Sequence, residues 1–402
     1  VKTFVFALLM TVSLAAQARI EALFHPHDPT LETIAQWIYE AESTVDIAMY
    51  NLESGPASPI IQTIQSPKVQ ARIRNGSLKI RMVLELYGTP EENTKKRQAI
   101  EDLGVDVRYL GRSVKVHHKF AVIDSLKSID RVITGSANWS LSSYRGYNEN
   151  ILFFTQEPEA TSRYQTEFNR LWMNSVEFGF TGSAPDITPV SAVDQEGMDV
   201  YFNSPKRLEP GSGEKSNLTD EIVNLINSSQ SHLQIASTRI RLVPVLEALQ
   251  AAAARGVKIQ AVISQDDFMD LGKRAKYLLS NPNIDLRVKF YNLQVAEYMT
   301  YQMHNKFMIV DGHTLVTGSF NWSSSSENNH IENIVILSGR LAQEVLPAYE
   351  NEFASIWNLG RTEYPTLLEA LKNQLHRECS IPKMALYPKE IRQLLKFKTQ
   401  CK

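Results

Sequence analysis

Apolar positions along the chain fall in short dense runs separated by longer amphipathic stretches, and this alternation sets the expected elements. Residues 31–42 and 218–227 carry apolar side chains at helical spacing. Each leads into a run too brief for a helix, 44–50 and 232–236, which reads as a strand. Residues 78–86 and 257–264 read as the next strands, with helical segments over 91–103 and 268–279. Strands alone follow: 117–123 and 304–310, then 132–134 and 314–317, then 150–154 and 333–337. Helices come after them, ending in Phe168-Asn169-Arg170-Leu171-Trp172 and Phe353-Ala354-Ser355-Ile356-Trp357. Strands alternating with helices predict an α/β fold. The same series met twice predicts two repeats, each a mixed sheet flanked by helices.

The expected divisions follow from this pattern. The first repeat runs over 19–179, a Gly, Pro, Ser and Asp-rich linker over 180–196, and the second repeat over 197–358. Residues 359–402 are unmatched in the first repeat and read as a helical extension. From residue 376 onward it holds seven Lys/Arg against two Asp/Glu, a formal +5. A solvated appendage is the expected reading, with peripheral contact to an anionic membrane or a polyanion as the alternative. At the other end, Lys2, an apolar run over 4–14 and the small-x-small Ala16-Gln17-Ala18 read as a signal peptide cleaved after Ala18, which implies a secreted or periplasmic protein. Cys379 and Cys401 are the two cysteines, and in an exported chain an even pair in one short tail reads as a disulfide.

Composition adds mainly exclusions. Hydrophobic residues at 43% and charged residues at 21% of 402 are ordinary for a folded protein, and no apolar run reaches the roughly 18 residues of a membrane span. With 42 Lys+Arg against 44 Asp+Glu the formal charge is −2, so no global positive field exists to hold a polyanion, which must be held locally.

The chemistry lies inside the repeat. The first copy reads Val116-His117-His118-Lys119-Phe120-Ala121-Val122-Ile123-Asp124, then Ile133-Thr134-Gly135-Ser136-Ala137-Asn138-Trp139-Ser140. The second reads Met303-His304-Asn305-Lys306-Phe307-Met308-Ile309-Val310-Asp311, then Val316-Thr317-Gly318-Ser319-Phe320-Asn321-Trp322-Ser323. Glu149 and Glu332 each follow the Asn by eleven residues. The first copy is four residues longer between Asp and Gly, which fits a longer hairpin loop.

On a strand, His117 and Lys119 share a face, as do His304 and Lys306. Lys, Ser and Asn supply a charge and hydrogen-bond donors suited to the non-bridging oxygens of a phosphate. Imidazole attacks phosphorus or delivers a proton near neutral pH without a metal. In-line displacement needs a nucleophile on one side and an acid on the other, so two motifs with one reactive His each must face one another.

These residues resemble the phospholipase D superfamily signature, H-x-K-x4-D with G-S-x-N and a later Glu, present twice. In its N-W-S and E-N-I details the chain is most similar to the Nuc-type endonuclease and cardiolipin hydrolase branch. The resemblance covers roughly residues 20–358. It implies a bilobal α/β fold with pseudo-twofold symmetry and one active site between the lobes. Single-domain relatives dimerise to build such a site, so two copies in one chain imply a monomer.

By matching position, the resemblance implies that one of His117 and His304 becomes phosphohistidine while the other protonates the leaving alcohol, with His117 assigned as nucleophile. Lys119, Lys306, Asn138 and Asn321 would hold the phosphoryl oxygens, assisted by Ser136 and Ser319. Glu149 and Glu332 would each accept from the distal nitrogen of a His. Asp124 and Asp311 complete the candidate catalytic set, either orienting the motif or supporting the opposite lobe. No cofactor or metal is expected.

The expected substrate is a phospholipid head-group phosphodiester. The alternative is DNA or RNA, and a phosphatidyl transferase or an inactive binding protein is less favoured. His118 falls on the opposite face from His117 and is expected in packing. His25 and His27 lack further ligands and read as loop. Trp139, Trp172, Trp322 and Trp357 read as core anchors.

Overall fold

The computed structural model describes residues 18–85, 89–110, 114–177, 187–203, 218–294 and 301–401. The proposed signal peptide, apart from Ala18, and the first part of the linker lie outside these residues.

Two eight-stranded mixed sheets carry the fold, and their strand orders are the same. The first runs Arg19–His25, Glu149–Thr155, Arg131–Gly135, Lys119–Ile123, Thr44–Met49, Lys79–Leu84, Asp106–Tyr109, Val176–Glu177. The second runs Met198–Phe202, Asn333–Leu337, Thr314–Gly318, Lys306–Val310, His232–Ser237, Lys258–Ser264, Ile284–Asn292, Ser380–Leu386. In each, three neighbouring strands are parallel and the rest antiparallel. The motif strands Lys119–Ile123 and Lys306–Val310 are buried at every position, which explains their unbroken apolar character beyond the leading lysine. The extra residues of the first motif lie in the hairpin between Ile123 and Arg131, where the second repeat turns in three residues between Val310 and Thr314.

Two long helices, Pro158–Asn174 and Gly339–Asn358, are wedged between the sheets, and each packs against the edge strand of the other repeat. Residues of both repeats therefore share one apolar cluster, including Phe120, Tyr164, Phe168, Trp172, Phe307, Tyr349, Phe353 and Trp357. The duplication extends to ring geometry, with Phe168 stacked on Trp172 at 5.5 Å and Phe353 on Trp357 at 5.7 Å. The four motif and helix-end tryptophans are core residues as expected.

Three expectations need correction. The segment 359–402 is not a helical appendage: after the helix Glu363–Lys372 it supplies strand Ser380–Leu386, which pairs with Ile284–Asn292 and closes the second sheet as Val176–Glu177 closes the first. The chain there is pinned by a Cys379–Cys401 disulfide. The expected helix over 268–279 is broken into Gln265–Asp270, a 3-10 turn at Gly272–Arg274 and Ala275–Leu279, because Gly272 sits at φ 51°. The edge strands Arg19–His25 and Met198–Phe202 were not legible as strands, and the first takes in His25, read as loop. No helix among the described residues is long and apolar enough to cross a membrane.

Candidate active site

Each motif histidine sits just before its buried strand, and its backbone is held by the other repeat. The His117 N–H donates to Ile331 O at 3.0 Å, and the His304 N–H donates to Asn148 O at 2.9 Å. Ile331 precedes Glu332 and Asn148 precedes Glu149, so this ladder between the lobes sets each glutamate against the histidine of the opposite repeat. His117 Nδ1 lies 2.8 Å from Glu332 Oε2, and His304 Nδ1 lies 2.6 Å from Glu149 Oε1.

The G-S turns deliver the glutamates. A Cβ on Gly135 would stand 2.2 Å from Asn150 O and one on Gly318 2.3 Å from Asn333 O, so only glycine allows the turn to approach the strand that carries Glu149 or Glu332. Ser136 and Ser319 then accept from the backbone N–H of Asn150 and Asn333 at 3.0 Å, and Ser319 donates to Glu332 Oε2 at 2.7 Å.

Both lysines are buried and lie along their histidines: Lys119 Nζ donates to His117 O at 2.6 Å, and Lys306 Nζ to His304 O at 2.5 Å and Thr238 Oγ1 at 3.2 Å. Each lysine feels both Glu149 and Glu332 electrostatically, so four ionisable groups from two repeats converge on one place. The Oδ1 atoms of Asn138 and Asn321 are buried without a hydrogen-bond partner among the described residues.

Electrostatics make the two halves unequal. Burial lowers His117 to about 3, keeping the ring neutral. Burial would raise Glu332, but the His117 imidazole, its hydrogen bond, His330 and Lys119 outweigh it and hold the carboxyl well below the usual carboxylate range. Burial also pulls His304 well below its ordinary value, reinforced by Lys306 and Lys119. In the opposite sense, burial pushes Glu149 up to about 8 against the pull of Lys306 and Lys119. Lys119 is lowered to about 8, and Lys306 well below its ordinary value, both chiefly by burial. An entering phosphate would restore the missing countercharge.

The flanks differ as well. Tyr50 and His330 lie beside His117, with ring centroids at 4.7 and 5.3 Å, whereas Tyr147 lies 5.6 Å from His304. His330 and Tyr147 occupy equivalent places, each two residues before its glutamate.

Of the sequence-predicted site, His117, His304, Lys119, Lys306, Ser136, Ser319, Asn138, Asn321, Glu149 and Glu332 come from the motif strands and the turns and strand starts that adjoin them. Asp124 and Asp311 do not belong with them. They lie at the far ends of the motif strands, in left-handed turns at φ 56° and 51°. The Asp124 carboxylate accepts from Glu42 N, Ser43 N, Ser43 Oγ and Thr44 N at 2.6–3.0 Å. Asp311 accepts from Gln230 N, Ser231 N, Ser231 Oγ and His232 N. Each caps the chain entering the neighbouring strand of its own lobe.

His118 is buried as expected, with Nε2 2.9 Å from Glu167 and Nδ1 accepting from Asn333 Nδ2 at 3.0 Å. Its counterpart Asn305 accepts from Asn150 Nδ2 at 2.8 Å, so the middle residue of each motif grips the Asn after the opposite glutamate. Sequence reasoning missed His25, which is buried between Thr30 and Ser143, the serine that also reaches Glu149.

Two like repeats thus meet in one doubly anchored site of His, Lys, Asn and Glu side chains. The family described as cardiolipin synthase, PLD-like domain, matches residues 34–172 and 222–357, one span in each repeat. The chain belongs to this family, within the phospholipase D superfamily, whose members hydrolyse or transfer phosphodiester groups.

Among curated relatives, the mitochondrial cardiolipin hydrolase of Danio rerio is 39% identical over 75 residues, 18% of this chain and 31% of that protein. That of Chlamydomonas reinhardtii is 26% identical over 149 residues, 37% of this chain and 60% of that protein. The matches thus span less than two thirds of these relatives. A solved phosphatidylserine synthase from Haemophilus influenzae shares the fold with a TM-score of 0.60 at 15% identity, over 95% of this chain and 93% of that one. A polyphosphate kinase from Porphyromonas gingivalis does so at 0.54 and 16% identity, over 83% of this chain and 50% of that one.

Proposed function

We propose that this chain is an exported, metal-independent phosphodiesterase that hydrolyses phospholipid head-group phosphodiesters through a phosphohistidine on His117. The observation that carries the mechanism is the crossed pairing, His117 Nδ1 on Glu332 at 2.8 Å and His304 Nδ1 on Glu149 at 2.6 Å, in surroundings that hold the first carboxyl low and push the second up. An ionised Glu332 accepts the Nδ1 proton of a neutral His117 and leaves the Nε2 lone pair free to attack. The His304–Glu149 pair retains an extra proton up to about pH 8 and is the acid.

In the first step His117 Nε2 bonds to phosphorus, the bond to the leaving oxygen breaks, and that oxygen takes its proton from His304. In the second, water bonds to phosphorus and gives its proton to His304, while the P–N bond breaks and its electron pair returns to His117. Lys119, Lys306, Asn138 and Asn321 hold the phosphoryl oxygens throughout.

The lipid substrate is supported by the cardiolipin hydrolases among the relatives. Export is supported by the apolar N-terminal run and by the Cys379–Cys401 pair, which suits an oxidising compartment.

The test offers purified protein, in EDTA, mixed phospholipid vesicles, duplex and single-stranded DNA, and RNA in parallel, with His117→Ala as blank. Head-group release is expected. Nucleic-acid cleavage without it would overturn the lipid reading, and loss of all activity in EDTA, restored by a divalent ion, would overturn metal independence.

A further inference from the structure

The geometry points to a zinc-binding site built from His117, His330 and Glu332, through which Zn2+ silences the nucleophile. One nitrogen of each ring and a carboxylate oxygen lie within 4.8 Å of one another. His117 Nδ1 is 2.8 Å from Glu332 Oε2, and His330 Nδ1 is 3.5 Å from Glu332 Oε1. Ligand atoms around a tetrahedral zinc with bonds of about 2.0–2.1 Å stand roughly 3.4 Å apart, so small ring movements complete the set. Two imidazoles and one carboxylate with a fourth position open are a zinc donor set rather than a magnesium or calcium one, which calls for oxygen ligands.

Glu332 is fully buried, so its carboxylate is held in place between the two rings. The His330 side chain retains 16% exposure and is the way in. It is steadied by Ser326 Oγ at 3.4 Å from Nδ1 and Ser325 Oγ at 3.3 Å from Nε2.

The opposite half of the pseudo-symmetric site lacks this set. Tyr147 stands where His330 would, and a neutral phenol is a poor zinc ligand near neutral pH. Lys306 Nζ also lies 3.1 Å from His304 Nδ1, which leaves that nitrogen facing an amine instead of a second ring.

Zinc would act through the tautomer. A metal on His117 Nδ1 displaces the proton that Glu332 holds there, and the neutral ring then carries its single proton on Nε2. The lone pair that must attack phosphorus is gone.

The test is calorimetric titration of the metal-free full chain with zinc chloride, without substrate, beside the His330→Tyr and His330→Gln variants. Thermal melts confirm that each is folded. One zinc per chain is expected for the wild type, with affinity lowered by more than about tenfold in both variants and no comparable heat with magnesium chloride. In turnover assays, each protein normalised to its own zinc-free rate, the inhibiting zinc concentration should rise by the same factor, and EDTA should restore activity. Absence of zinc binding, equal binding by the variants, or full turnover by zinc-saturated enzyme would overturn the proposal. The binding arm uses no substrate, so its failure is separate from any failure of the lipid reading.

Discussion

Replacing Glu332 with Gln should slow phosphorylation of the enzyme by about a thousandfold while leaving the fold intact. Two donors, His117 Nδ1–H at 2.8 Å and Ser319 Oγ–H at 2.7 Å, converge on Oε2, so the amide oxygen of Gln should occupy that place and keep the tautomer. Only the charge is lost. As His117 bonds to phosphorus its ring becomes cationic, and a carboxylate about 4 Å away at an effective dielectric near 20 contributes about 4 kcal/mol. At 1.36 kcal/mol per decade that is about 10³ in rate. Glu332→Ala removes orientation as well and should be slower still. Rapid-quench kinetics with a bis-nitrophenyl phosphodiester reads the first step directly, with circular dichroism to confirm folding. A folded Gln variant within tenfold of wild type, or an Ala variant no slower than Gln, would refute the reasoning.

Turnover should fall as pH rises through about 8, where the Glu149 pair and Lys119 both lose their protons, and stay level from pH 7 to 5 because His117 is held down to about 3. A kcat/KM profile with a protonation loss between 7 and 6 would contradict this. Asp124→Ala should cost about 3 kcal/mol in stability by stripping the Glu42, Ser43 and Thr44 amides of their acceptor; kcat should stay within twofold, whereas a hundredfold loss in folded protein would return Asp124 to the chemistry. Unreduced protein should show no alkylatable thiol, and replacing both Cys379 and Cys401 with Ser should lower stability by about 3 kcal/mol, as a chemical-denaturation curve can check.

The motif strands were legible because an apolar run has no packing reason to carry a His and a Lys at its start. The duplication was legible because spacing repeats. Which glutamate serves which histidine was not: Glu149 is nearer His117 in sequence, and the crossing arises from the pairing of Lys115–Val116 with His330–Ile331 between lobes. Asp124 and Asp311 were misread because a carboxylate that closes a catalytic motif looks chemical until its turn geometry is seen. Ser380–Leu386 was hidden by its Pro382 and by basic surroundings, and an edge strand tolerates both. His25 gives no local signal, since its partners Thr30 and Ser143 are brought to it by the fold.

The crossed glutamates also dictate when activity can first exist. While the chain is being made, the first repeat can complete its sheet, yet the backbone that holds His117 and the carboxylate that aligns its ring arrive only with residues 331 and 332. Glu149, made early, waits equally long for His304. Under the proposed mechanism a half-made or half-folded chain is inert toward phosphodiesters, and the reaction begins only when both lobes have docked.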